Sequence, residues 1–243
     1  MKFEEKRLLL KPDFCFYHVP KCGGSTIRAT LHNFFSKIYK KYEMYCPEKS
    51  SLKYNFACKE SFGEFVDSKT EEQLSQIKIL LCHTKYNSPD ISDKFGEHKS
   101  SIILRNPTSR LISHYEFFDY PKTKVHMNEL PNNQLEEYCI RMSSAMTKYL
   151  SNKNDLSEAL DNIHKIDFVG DVSNMNDFIK QITKFYCEKF DIAQCKQNVI
   201  TRNTNENKII DKKLAKKVSE IISESSDQKL YNQLKQSNTT IED

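Results

Sequence analysis

Short apolar runs recur along the chain at Phe14 to Val19, Lys78 to Cys82, Ser101 to Leu104 and Ile166 to Val169. They are nearly continuous rather than alternating, which predicts parallel strands covered on both faces. Between and after them, apolar residues return at helical spacing. Ile27, Leu31, Phe34, Phe35 and Ile38 form one stripe, on a helix predicted to start near Ser25. Leu111, Ile112, Tyr115 and Phe118 form a second, and Leu135, Tyr138, Met142, Met146 and Tyr149 a third. Met175, Phe178, Ile179, Ile182 and Phe185 form a fourth, with Ser173 or Asn174 placed to cap it. A more polar last helix carries Leu214, Val218, Ile221 and Ile222.

Strands interleaved with helices predict a three-layer α/β fold with a central, mainly parallel sheet. Such sheets bind ligands beyond the carboxyl ends of their strands. Met44 to Thr70 and Tyr120 to Asn133 read as irregular excursions. The polar tail after about residue 235 is expected to fray. No linker, repeat or low-complexity tract divides the chain, so residues 1–243 are expected to form a single domain.

Composition narrows the field. Charged residues make up 29% and aromatics 11%, as in a globular protein with a real core. A net charge of +4 suits an anionic ligand but argues against a nucleic-acid partner. No apolar run is long enough to span a membrane, and Met1 to Lys11 does not read as a signal peptide. The expectation is a soluble, cytoplasmic protein or a Golgi-lumenal domain trimmed of its anchor. The eight cysteines show neither a CxxC pair nor zinc spacing with histidine. Cys46 with Cys58, or Cys187 with Cys195, could pair in an oxidising compartment, but a chain of this size does not need staples.

Chemistry concentrates where the first predicted strand ends. Lys21-Cys22-Gly23-Gly24-Ser25-Thr26 joins that strand directly to a helix. Glycines let the backbone close around an anion, and the first helical N–H groups lack intrahelical partners. Ser25 and Thr26 add hydroxyls, and Lys21 adds a mobile charge able to follow charge building on a leaving phosphate. The blander reading is a tight turn with a capping serine. The nucleoside-triphosphate pattern GxxxxGK[ST] is absent, since here the lysine precedes the glycines.

A second corner follows the third run. Arg105 ends it, Asn106-Pro107 opens a helix, and Ser109 and Ser113 share one helix face. An arginine fork suits a phosphate, although a surface arginine beside a helix start is the plainer reading. His83 ends the run Ile79 to Cys82, on the same sheet edge, and is the best-placed histidine for a general base.

Phe16 to Thr26 resembles the 5′-phosphosulfate loop of carbohydrate sulfotransferases that use 3′-phosphoadenosine 5′-phosphosulfate (PAPS). This group includes the heparan sulfate 2-O-sulfotransferases and their bacterial relatives, and its loop reads roughly H-[IV]-P-K-T-G-G-[TS]-[ST]. Cys22 replaces the usual Thr. Arg105 to Ser113 resembles the family's 3′-phosphate motif, R-[DN]-P-x-x-R-x-x-S, in which Arg105 and Ser113 are the matching ligands and Arg110 is supporting. Cys82-His83-Thr84-Lys85-Tyr86 resembles its G-H-x-x-[FY] segment, which carries the base. Ser144 to Leu150 and Asp167 to Asp171 are looser likenesses. Thr201 and Arg202 fall where relatives place a loop over the nucleotide.

The resemblance implies a P-loop-like sulfotransferase fold and an O-sulfotransferase. PAPS is the donor, PAP (3′-phosphoadenosine 5′-phosphate) the product, and no metal is required. Lys21, Cys22, Gly23, Gly24, Ser25, Thr26, Arg105, Ser113, Thr201 and Arg202 would bind the donor, with Lys21 and His83 catalytic. The acceptor would be a hydroxyl, on a glycan or on a small alcohol. Two rivals remain at this stage: a nucleotide or small-molecule kinase, and a non-catalytic nucleotide-binding protein. The acceptor position and the oligomeric state stay open.

Overall fold

The computed structural model describes residues 12–40, 43–45, 66–83, 85–86, 98–151, 153–192 and 211–239. Among the described residues, five strands form one parallel sheet: β1 (Phe14–Tyr17), β2 (Met44–Tyr45), β3 (Ile79–Cys82), β4 (Lys99–Leu104) and β5 (Phe168–Asp171). Their spatial order is β2-β3-β1-β4-β5, and every pairing is parallel. β1 sits at the centre and is wholly buried, which is why its residues read as an unbroken apolar run. The chain runs from β1 to β2 and β3 on one side, then crosses to β4 and β5 on the other. That reversal marks the crevice where parallel sheets gather ligands.

Helices surround the sheet: α1 (Gly24–Phe35), α2 (Glu71–Ser75), α3 (Pro107–Phe118), α4 (Tyr120–Thr123), α5 (Asn132–Met142), α6 (Ala145–Leu150), α7 (Leu156–Ile163), α8 (Met175–Lys189), α9 (Lys212–Ile221) and α10 (Ser226–Thr239). One core joins the sheet to α1, α8 and their neighbours; Phe14, Phe35 and Tyr186 meet there edge to face or tilted. A second, smaller core lies among α3, α5 and α9, built on Leu111, Tyr115, Tyr138 and Val218. The fold is therefore α/β with an all-parallel sheet.

Several expectations need correction. The third stripe is not one helix: it breaks between Met142 and Ala145, into α5 and α6. Neither Ser173 nor Asn174 caps α8 with its side chain; Ser173 instead donates to Asp171, within a short 3-10 turn. Tyr120 to Asn133 is not irregular, since it holds α4 and a 3-10 turn at Met127–Glu129. Met44–Tyr45 is an edge strand, while 46–65 lies outside the described residues. The last helix is assigned through Thr239, and residues 240–243 lie outside the described residues. Cys15, Cys22, Cys139 and Cys187 are buried thiols; Cys46, Cys58 and Cys195 lie outside the described residues. Among the described residues, no helix is long and apolar enough to cross a membrane.

Candidate functional site

β1 ends in a tight turn. The Cys22 N–H donates to the Val19 carbonyl at 3.2 Å, closing a four-residue turn with Pro20 and Lys21 at its centre. Lys21 takes a left-handed φ of 67° and Gly23 one of 68°. For lysine that conformation costs about 1 kcal/mol or more, strain of the kind that gathers at ligand sites. Gly24 is required by a close neighbour, and Gly23 is favoured by its left-handed φ. A Cβ on Gly23 would lie 2.6 Å from Met175 Cε, and one on Gly24 would lie 1.8 Å from the His18 ring.

The helix that follows begins bare. Gly23 offers no side-chain cap, and the first turn of α1 holds no acidic residue. Its leading N–H groups therefore face outward with the positive end of the helix dipole behind them. Ser25 is half-buried and Thr26 buried at this end. Cys22 departs from the role expected of it: its side chain is wholly buried and its N–H is engaged in the turn. Burial pushes its thiol up to about 12, against the pull of Arg110 and Arg105. It is a small hydrophobe behind the loop, not a donor within it.

Arg105 stands at the end of β4, next to β1. Its Nη1 donates to the Lys21 carbonyl at 3.2 Å. Asn106 caps α3 by accepting from the Ser109 N–H at 3.1 Å, and Pro107 takes the first helical position. The Lys21 ammonium reaches across to α3 and rests 4.0 Å from the centre of the Phe117 ring. Arg110, Ser113 and Phe117 fall on one stripe of α3. Arg110 acts electrostatically on Cys22, and Phe117 touches Lys21, so half-buried Ser113 belongs to the stripe that follows the loop.

Arg110 itself is structural. It is fully buried, donates from Nη2 to the Met142 carbonyl at the end of α5, and lies 3.6 Å from Asp227 of α10. Asp227 in turn accepts from the N–H groups of Met146 and Thr147 at 3.0 and 2.8 Å. A carboxylate from a distant helix thus caps α6, which is why the chain breaks cleanly there.

His83 follows β3, on the other side of β1. Its Nδ1 lies 3.1 Å from the His18 carbonyl oxygen, and its ring stacks on the His18 ring at 3.8 Å. A carbonyl only accepts, so Nδ1 carries the hydrogen and Nε2 keeps a lone pair. His83 is exposed on its remaining surface. Desolvation of its packed face and the Arg28 cation lower its pKa from 6.5 to about 4. It is therefore neutral at pH 7. His18 is held well below 6.5, first by burial, then by His83, Arg28 and Lys21. His114 meets Tyr138 at 2.8 Å and packs on Phe118, as expected of a packing residue.

The structure thus brings Lys21, Gly23, Gly24, Ser25, Thr26, Arg105 and His83 to the carboxyl ends of three adjacent strands, while Ser113 lies farther along α3. Thr201 and Arg202 lie outside the described residues. Sequence reasoning missed Arg28, a fully buried cation on α1 whose charge reaches both histidines. The signal was present: Arg28 interrupts the apolar side of a helix, next to Ile27. It also missed Asp171, which ends β5 on the same edge and lies 3.4 Å from Lys235. Among the described residues, no group of three or more His, Cys, Asp and Glu side chains is placed to hold a metal ion. No family model, curated protein or solved structure matches the chain.

Proposed function

We propose that this chain is a PAPS-dependent O-sulfotransferase with the sulfotransferase variant of the α/β fold. One observation carries the reading. Arg105 and the Lys21 loop touch at adjacent strand ends, and a neutral His83 stands at the next. Two anion-binding corners this close suit a ligand with separate phosphate groups, and the third position suits a proton acceptor.

The residues fit such a donor. The start of α1 lacks a cap and an acidic residue, and Lys21, Arg28, Arg105 and Arg110 surround it. Arg110 has Asp227 as its counter-ion. When bound, PAPS supplies an activated sulfuryl group. The Gly24 to Thr26 N–H groups with the Ser25 and Thr26 hydroxyls hold the 5′ end, and Arg105 with Ser113 holds the 3′-phosphate. Lys21 leaves Phe117 to meet charge developing on the bridging oxygen. His83 Nε2 takes the proton of the acceptor hydroxyl.

The acceptor is a hydroxyl, and the resemblance favours one on a sugar. Transfer of labelled sulfate from PAPS to a panel of glycans and small alcohols tests this, with Lys21→Ala and His83→Ala alongside. Binding of PAP but not ATP separates the proposal from a kinase. A protein that binds neither PAPS nor PAP is not a sulfotransferase.

A further inference from the structure

His18 occupies a singular place between the two halves of the proposed site. One face of its ring stacks on His83 at 3.8 Å, with 28° between the planes. Its edge presses on the first residue of α1 so closely that a Cβ on Gly24 would come within 1.8 Å of Cδ2 and Nε2. The Phe16 ring lies nearly parallel to it at 5.9 Å. Its own carbonyl fixes the His83 tautomer from Nδ1. The ring is 4% exposed, and its Nδ1 has no hydrogen-bond partner among the described residues. Packing therefore holds it, not hydrogen bonding.

We infer that His18 is a positioning residue: its ring is a wedge between the anion-binding loop and His83 that fixes how the base sits relative to the start of α1. The inference rests on the proposed roles of the loop and of His83. His18 reaches no reacting atom itself. It acts by filling the gap between Gly24 and His83 with a flat, uncharged surface, so that the base cannot tilt away from the loop. The glycine at position 24 follows from the same contact, since any side chain there would drive the wedge into the base. Arg28 from α1 is the charged group acting on His83, which the backbone hydrogen bond to the His18 carbonyl pulls the other way; His83, Arg28 and Lys21 act on His18.

The test compares His18→Phe, which keeps a flat ring, with His18→Leu, which fills the space without one. Both side chains are apolar at a buried position, so both are expected to fold; His18→Met is the second ring-free variant should the leucine fail. Nitrogen-15 NMR of the histidine rings reads the tautomer and titration of His83 directly. Wild type and His18→Phe are expected to show hydrogen on Nδ1 and a midpoint well below 6.5. In His18→Leu the midpoint moves back toward 6.5, and kcat for sulfate transfer falls ~10-fold with donor KM within ~2-fold. Identical His83 behaviour in the phenylalanine and ring-free variants overturns the wedge. A ring-dependent difference in a protein that transfers no sulfate leaves the wedge standing and removes the donor reading instead.

Discussion

Arg105 Nη1 donates to the carbonyl oxygen of Lys21 at 3.2 Å, bridging the end of β4 to the turn after β1. The two corners that look separate in the sequence are one unit in space. A guanidinium can hold this carbonyl with one nitrogen and offer the others to an anion, which an ammonium cannot do in a fixed plane. Arg105→Lys keeps the charge and loses the fork. It is expected to weaken PAP binding ~10-fold or more, measured by calorimetric titration. Unchanged affinity would take Arg105 out of the ligand's contacts.

Lys21 and Phe117 make a second linked pair. The ammonium rests on a ring that is 38% exposed, 4.0 Å from its centre. Such a contact is worth ~0.5–1 kcal/mol at an exposed site. If Lys21 leaves the ring to meet the donor, that contact opposes binding. Phe117→Ala is then expected to tighten PAP binding ~2- to 5-fold, while Lys21→Ala weakens it. Looser binding in Phe117→Ala would show that the ring itself touches the ligand.

Much of the scaffold was legible because it rests on local rules. The continuous apolar runs named β1, β3, β4 and β5 to within a few residues, and Asn106-Pro107 announced the start of α3. The misses have long-range causes. The break after Met142 depends on Asp227, which arrives from α10 to cap α6, and no local signal could reveal it. Cys22 looked like part of the cradle because it sits inside the motif, but a turn closed on Val19 sends its side chain into the core. The adjacency of His83, His18 and Arg105 followed from parallel strand ends once the order was known, whereas the His18–His83 stack needed coordinates.

The histidines give the site a pH signature. With its pKa lowered to about 4, the proposed base His83 is expected to stay neutral from pH 7 down to about pH 5, so kcat/KM for sulfate transfer should fall only below that. An acid limb centred near 6.5 would show that a different group, or a differently packed His83, is the base. Stability follows the same sign. His18, His83 and His114 are held neutral in the fold, while the unfolded chain takes up their protons near 6.5. The unfolded state therefore binds more protons below 6.5, and stability, complete above that pH, declines as pH falls toward about 4. Melting temperature against pH checks this, and His18→Phe should flatten the decline.

The buried pair Arg110–Asp227 separates architecture from ligand binding. Both side chains are fully buried and 3.6 Å apart, and each also holds a helix end: Arg110 the carbonyl of Met142, Asp227 the N–H groups of Met146 and Thr147. Removing one charge strands the other in the core, a loss of about 3–5 kcal/mol. Arg110→Met is expected to lower unfolding stability by that order in urea titration, because burial already raises the Asp227 carboxyl and without Arg110 it must either stay charged in the core or take up a proton. PAP affinity, measured where the variant is still folded, should stay close to wild type, since Arg110 faces Asp227 behind the loop. A variant that melts normally but has lost PAP binding would reverse the assignment. Arg110 would then join Arg105 among the residues that hold the donor.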